Sequence, residues 1–201
     1  MNSEKPAVIP APVWWRDDVL DDMCRFGPTR GSPYEVGRHL AVLLLLLGGR
    51  RIHDLTLLHT TDGDLIYNER QAIFQPRFGS KTDGKYIQSK MGFRRHQDWA
   101  LSVSHVLTHY LRITSAWRQQ HTALFLRVRG NHEPASPGII RGWVRKQQEK
   151  SGVRAAPGSC RAAANTASFL EGCRIDDVLK NGNWCCRGTF LKYYFRPAEQ
   201  W

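Results

Sequence analysis

From Ser32 the chain reads SPYEVGRHLAVLLLLLGG, and the seven apolar residues in a row from Ala41 to Leu47 constrain the fold more than any other stretch. Ser32 is placed as an N-cap, Pro33 fits the first helical position, and Glu35 follows three residues after the cap, where its carboxylate can return a hydrogen bond. Gly48 and Gly49 end the pattern. A helix that is apolar all round has to be buried. At seven residues the run is far shorter than the ~20 a bilayer span requires, so it is expected at the centre of a core.

The sequence on either side supplies the cover. Residues 1 to 12 read as a Pro-rich, polar lead, and 13 to 26 as a short helix whose Trp14, Trp15, Leu20 and Met23 need a packing partner. In DLIYNERQAIFQPRFGSKTDGKYIQSKMGF, alternating apolar residues flank GSKTDGK, which predicts strands joined by a Gly- and Asp-rich turn, in a small antiparallel sheet. Apolar positions 99, 103, 106, 107, 110 and 113 have helical spacing and predict one amphipathic helix over 98 to 117. GNHEPASPG reads as a loop, 139 to 150 as a basic helix, 159 to 171 as a helix closed by Gly172, and 175 to 180 and 188 to 196 as two short helices. The expected fold class is therefore mainly α with a small antiparallel β-sheet. At 201 residues one domain is the economical assignment.

Charge narrows the partner. With 29 basic and 18 acidic side chains the formal net charge is +11, which favours a polyanion over a small acidic metabolite. The excess is concentrated in two stretches. Arg77, Lys81, Lys85, Lys90, Arg94 and Arg95 face only Asp83, and from Arg141 to Arg161 six basic residues face only Glu149. A solvated basic surface is the simpler alternative. The five cysteines are odd in number and lack zinc-ribbon or finger spacing, which predicts buried or free thiols in a reducing, intracellular compartment. No secretory signal pattern opens the chain.

Four places can carry chemistry. GGRRIHDL sets Arg50 and Arg51 just past the buried helix, where they could equally cap its last carbonyls. The turn GSKTDGK carries Lys81 and Lys85, which could simply be solvated. PGSCRAAA puts Arg161 in the first turn of a helix, an unfavourable place for a cation unless an anion lies between it and the amide N–H groups. The segment RIDDVLKNGNWCCRGTFLKYYFRP ends in Tyr193 and Tyr194 among Lys192 and Arg196, with Trp184 upstream; singly, these aromatics would serve as core. Together, two arginines, a lysine and a tyrosine make a set able to cleave a phosphodiester without metal. Guanidinium groups clamp the non-bridging oxygens and hold developing charge. A donor protonates the leaving oxygen. A phenol conserves the bond energy in a covalent link, and cationic neighbours favour its ionised, nucleophilic form.

In this order the motifs resemble the catalytic domain of the tyrosine recombinase (integrase) family, over about residues 35 to 197, with the nearest likeness to the DIRS-like, PAT-like and Crypton recombinases of eukaryotic mobile elements. The resemblance implies a DNA breaking-rejoining fold. It gives Arg51 the first arginine role, Asp54 that of its supporting acid, Lys81 the lysine role with Lys85 as second choice, Arg161 the second arginine and Trp184 the His/Trp position. GNWCCRGTFLKYYFRP is similar to the Gly-Asn-Trp…Thr-Phe-x-x-Phe-Tyr-x-Arg-Pro ending of those elements, which makes Tyr194 the nucleophile, although the spacing of bacterial relatives would select Tyr193. Further implications are double-stranded DNA as partner, a homotetramer on DNA with a monomer or weak oligomer alone, no cofactor, no metal, no membrane, nuclear localisation, and integration or excision of a mobile element such as a retrotransposon.

Two departures stand out. Gly158 occupies the place of the family's histidine and can neither accept a proton nor donate to a phosphate oxygen. Such an acid/base partner is typically worth ~10²–10⁴ in rate, and His53, His96 and His132 are substitutes by residue type only. The resemblance also leads to the expectation that the family's N-terminal core-binding domain is absent from this sequence, with residues 1–30 a linker or lead segment containing a short helix and 31–201 the catalytic domain, or a fragment of a longer protein. The competing readings are a type IB topoisomerase-like strand transferase, a domesticated or catalytically impaired DNA-binding module, and a metal hydrolase built on His105 and His109 of HVLTH, which lacks the zinc-protease glutamate.

Overall fold

A computed structural model describes residues 14–27, 31–79, 90–118, 120–184 and 186–195. Their elements are α1 (Arg16–Arg25), α2 (Pro33–Gly48), α3 (Ile52–Leu55), β1 (Leu65–Tyr67), β2 (Gln71–Phe74), β3 (Met91–Arg94), α4 (Val103–Ile113), α5 (Pro137–Lys150), α6 (Cys160–Leu170), α7 (Ile175–Asn181) and α8 (Arg187–Tyr193). Helices dominate, and the one sheet is antiparallel with order β1-β2-β3.

α2 is the central rod. The Ser32 hydroxyl accepts from the Glu35 N–H while the Glu35 carboxylate accepts from the Ser32 N–H at 2.8 Å, a reciprocal cap that sets where the helix starts. Ala41 to Leu46 have no exposed surface, and α4, α5, α6 and α1 all pack on this helix. Burying side chains of this size contributes roughly 1.5–3 kcal/mol each. α1 adds Val19, Leu20 and Met23 to the same core, whereas Trp15 stays 43% exposed.

The sheet has one strand pair more than a single hairpin supplies. β1 pairs with β2 through Ile66 opposite Ile73, and β2 with β3 through Phe74 opposite Met91. The Asn68 side chain accepts from the N–H groups of Arg70 and Gln71 and so forms the β1–β2 turn. The turn GSKTDGK lies mostly outside the described residues, and Lys81 and Lys85 with it.

Four boundaries differ from the sequence expectation by more than one residue. The helix expected over 98 to 117 is divided into a 3₁₀ turn at Trp99–Leu101, α4, and a second 3₁₀ turn at Ser115–Trp117. Asp98 starts the first turn by accepting from the Ala100 N–H at 2.8 Å, and the extended backbone of Ser102 (ψ 103°) interrupts the run. α5 begins at Pro137 and not at 139, because Ser136 accepts from the Ile139 N–H as its cap. α1 begins at Arg16, three residues later than expected. α8 ends at Tyr193, leaving Tyr194 just beyond the helix with φ −127°.

Candidate active site

The geometry starts at the end of α2. Gly49 has φ +62°, and its N–H bonds to the Leu45 carbonyl, so backbone closes the helix in the left-handed conformation that favours glycine. Space demands the same residue. A Cβ at Gly49 would lie 2.4 Å from Oδ1 of Asn165 on α6. The Asn165 amide instead donates to the Gly49 carbonyl at 3.0 Å and to the Arg161 carbonyl at 2.7 Å. Asn165, itself buried, therefore fastens the turn that carries Arg50 and Arg51 to the helix that carries Arg161.

Arg51 precedes α3, and its backbone N–H donates to the buried Asp54 carboxylate at 3.1 Å. This fixes the entry of the chain into α3. Arg50 is buried and donates to the Lys90 carbonyl at 3.4 Å, which brings the foot of β3 against the same turn.

Arg161 is only 3% exposed. It donates to the carbonyls of Gly182 at 2.8 Å and Asn183 at 3.2 Å, and its guanidinium lies 3.5 Å from the centroid of Trp184 and 5.7 Å from that of Tyr194. The rings of Trp184 and Tyr194 meet edge to face with centroids 4.3 Å apart. Tyr194 is held from behind by the Thr166 hydroxyl of α6, which donates to its carbonyl at 3.2 Å. Fully buried Phe190 anchors α8 one turn earlier and accepts the Tyr194 N–H at 2.9 Å through its carbonyl.

Burial, followed by the like charge of Arg51, pushes Arg161 down to about 10; Tyr194 and Asp54 pull the other way and Arg50 adds to the lowering. A buried cation crowded by two others is an electrostatic setting that an anion would relieve. Arg161 Nε and Trp184 Nε1 are both buried N–H donors with no acceptor among the described residues, and buried donors in proteins are nearly always satisfied.

Arg161, Trp184 and Tyr194 thus share one cluster, with Arg51 near enough for its charge to act on Arg161. Lys81 and Lys85, and the side chain of Tyr193, lie outside the described residues. Gly158 sits exposed in the 3₁₀ turn Pro157–Ser159, and a Cβ there would meet nothing within 4 Å. Its neighbour Ser159 accepts from the Trp14 indole at 2.8 Å, and Arg16 pairs with Glu171 at the far end of α6, so α1 braces the helix that bears Arg161. Of the three candidate histidines, His132 is stacked on Trp117 with centroids 3.9 Å apart, His96 accepts from the Asp98 N–H at 3.0 Å, and His53 is exposed on α3. Among the described residues no group of three His, Cys, Asp or Glu side chains could hold a metal ion, and no helix is long and apolar enough to cross a membrane. Asn165 and Thr166 are the positioning residues the sequence reading missed. Asn165 stands four residues after Arg161, on the same helix face, and that spacing was its only signal.

No family model and no curated protein matches the sequence. Solved structures do match the fold. XerA recombinase superposes with TM-score 0.68 at 16% identity, covering 99% of this chain and 63% of that one. XerH site-specific recombinase, in a pre-cleavage complex with its difH substrate, gives TM-score 0.68 at 11% identity, covering 92% of this chain and 49% of that one. A lambda integrase dimer bound to a COC′ core site gives TM-score 0.62 at 14% identity, covering 98% and 51%. The chain therefore spans about half to two thirds of the length of these structures, and its fold is that of the tyrosine recombinase catalytic domain.

Proposed function

We propose that this chain is the catalytic domain of a site-specific DNA recombinase that cleaves and rejoins DNA through a 3′-phosphotyrosine. The observation that carries the reading is the buried Arg161 guanidinium lying on Trp184 beside Tyr194, under the charge of Arg51, within a recombinase fold. The Tyr194 oxygen attacks the scissile phosphorus and the bond from phosphorus to the 5′ oxygen breaks. The phenol proton leaves to a base, and the departing 5′ oxygen takes up a proton to become a free hydroxyl. Arg51 and Arg161 hold the non-bridging oxygens as charge builds on them. The Trp184 N–H offers a further donor, and Lys81 is assigned protonation of the leaving oxygen. Attack of a 5′-hydroxyl on the phosphotyrosine reverses these steps, so no ATP, metal or other cofactor is consumed.

DNA bound by XerH and lambda integrase, the latter as a dimer and a tetramer, supports DNA and a homotetramer on DNA as partners of this chain. The ending GNWCCRGTFLKYYFRP supports assignment to a DIRS-like, PAT-like or Crypton-like mobile element working in the nucleus.

A nicked suicide duplex that traps covalent protein–DNA adducts tests the reading. The native chain and Tyr193→Phe form an adduct and Tyr194→Phe does not. Loss of the adduct only in Tyr193→Phe would move the nucleophile one residue. Gly158 favours a second reading, a DNA-binding module without catalysis, and retained DNA affinity with no adduct in any variant would establish it.

A further inference from the structure

A second cluster of arginine and histidine side chains lies where the chain leaves β3 beside α4. The buried stripe of α4 is Val103, Val106, Leu107 and Tyr110. On another face, positions 105, 109 and 112 follow the i, i+4, i+7 spacing that aligns side chains. His105, His109 and Arg112 there line a cleft of about 510 Å³, together with Arg95, which follows β3, and Glu69 from the β1–β2 turn. Arg95 and Arg112 are exposed.

The tautomer of His109 follows from its neighbour. Arg112 approaches His109 Nδ1 at 3.0 Å, and a guanidinium can only donate, so Nδ1 is the acceptor and the imidazole proton resides on Nε2. Nε2 is buried and has no partner among the described residues. Burial, then Arg112 and His105, also push the His109 imidazole toward its neutral form. A buried N–H donor, two guanidinium groups and a second imidazole, opposed by one carboxylate, form a donor set for an oxyanion.

This cleft is separate from the Arg161 cluster. Arg50 donates to the Lys90 carbonyl, and a Cβ on Gly48 would come within 3.1 Å of Met91 Cε, so the arginine turn abuts the start of β3. Arg95 lies four residues beyond Met91, roughly 13 Å along an extended strand.

We propose that Arg95, His105, His109 and Arg112 form a second phosphate-binding site, taking either a phosphodiester of bound nucleic acid or a free phosphate. A phosphate fits better than a carboxylate because it offers several acceptor oxygens to donors arriving from two sides, α4 and the end of β3.

The test is nuclear magnetic resonance of the ¹⁵N-labelled histidine rings in the full chain at fixed pH and ionic strength, with His109→Gln to assign the signal. Inorganic phosphate is expected to shift the His109 and His105 signals saturably, whereas acetate does not. Arg95→Gln/Arg112→Gln weakens that response by about ten- to hundredfold. Both arginines are exposed, so the substitutions leave the fold intact, and Arg112→Gln alone gives a milder version of the same test. A short duplex that produces the same shifts identifies the nucleic-acid backbone as the source; shifts with phosphate alone identify a free phosphate. No saturable shift with either probe, an equal response to acetate, or an unchanged response in the double variant overturns the proposal. None of these readouts passes through Tyr194, so a missing covalent adduct leaves the proposal standing, and its own failure leaves the recombinase reading standing.

Discussion

Gly49→Ala is expected to do more damage than any other single methyl group added to a described glycine near the site. Alanine at φ +62° costs about 1–2 kcal/mol in backbone strain. Its Cβ would also lie 2.4 Å from Asn165 Oδ1, so the amide has to move and the bond to the buried Gly49 carbonyl is lost. Leaving that acceptor unsatisfied costs about 1–3 kcal/mol more. The sum is about 2–5 kcal/mol, or a melting temperature lower by roughly 5–20 °C for a chain of this size. Gly152→Ala isolates the backbone share, because Gly152 has φ +74° and a Cβ there meets nothing within 4 Å. Denaturant titration of the two variants, and of Gly49→Ala combined with Asn165→Ala, separates the two contributions. In the Asn165→Ala background the cost of Gly49→Ala falls to that of Gly152→Ala. Equal losses in Gly49→Ala and Gly152→Ala would refute the claim that Asn165 fastens the arginine turn to α6.

The buried His39 imidazole bonds to the Ala100 carbonyl at 2.7 Å, and burial holds it at about 4, below its ordinary 6.5. The unfolded chain therefore takes up a proton first as pH falls, so the stability from a neutral His39 is complete above 6.5 and is lost toward 4. About 2 kcal/mol disappears between pH 7 and pH 5, and denaturant titrations at the two pH values show it shrinking in His39→Gln. Arg161→Lys keeps the charge but gives up the planar stack on Trp184 at 3.5 Å. It is expected to lower stability by about 1–2 kcal/mol and adduct formation by about a hundredfold or more, read by thermal melting and single-turnover trapping. Gly158→His meets no clash at Cβ and is expected to leave the melting temperature unchanged while raising adduct formation by up to ~10²–10⁴. Single-turnover rates equal to those of the native chain would show that a histidine at 158 does not reach the reacting phosphate.

Legibility from sequence followed how local the determining physics was. The start of α2 is set by groups three residues apart, Ser32 and Glu35, and its burial by its own apolar run, so both were readable. The start of α5 uses a similar signal, Ser136 before Pro137, but it sits inside GNHEPASPG, where proline and glycine density reads as loop. The break at Ser102 depends on the Asp98 side chain competing for a backbone N–H, which apolar periodicity does not register. At the candidate site, Arg51, Arg161, Trp184 and Tyr194 could be nominated by chemical type and by the order the family resemblance implies. The links that gather them could not, because Asn165 to Gly49 spans 116 residues and Thr166 to Tyr194 spans 28.

The same distinction bears on Gly158. Gly49 is required twice over, by its positive φ and by the Asn165 amide, so its presence says nothing about catalysis. Gly158 is required by neither, since its φ is unexceptional and a Cβ there has open space around it. A side chain can therefore start at 158 without backbone strain or a clash at Cβ, so neither conformation nor contact at that atom requires the glycine. The arginine cluster is the opposite case. Arg161 is kept buried under the charge of Arg50 and Arg51, an arrangement that costs stability in the free protein and that a phosphate between the guanidinium groups would offset. A chain that had given up binding phosphate could relax that crowding by a single substitution at Arg161. On the proposed recombinase reading, position 158 answers to no demand of the backbone, whereas the arginine cluster is unfavourable to the free fold and would be offset by bound phosphate, so phosphate binding and strand cleavage are separable properties that Gly158→His distinguishes.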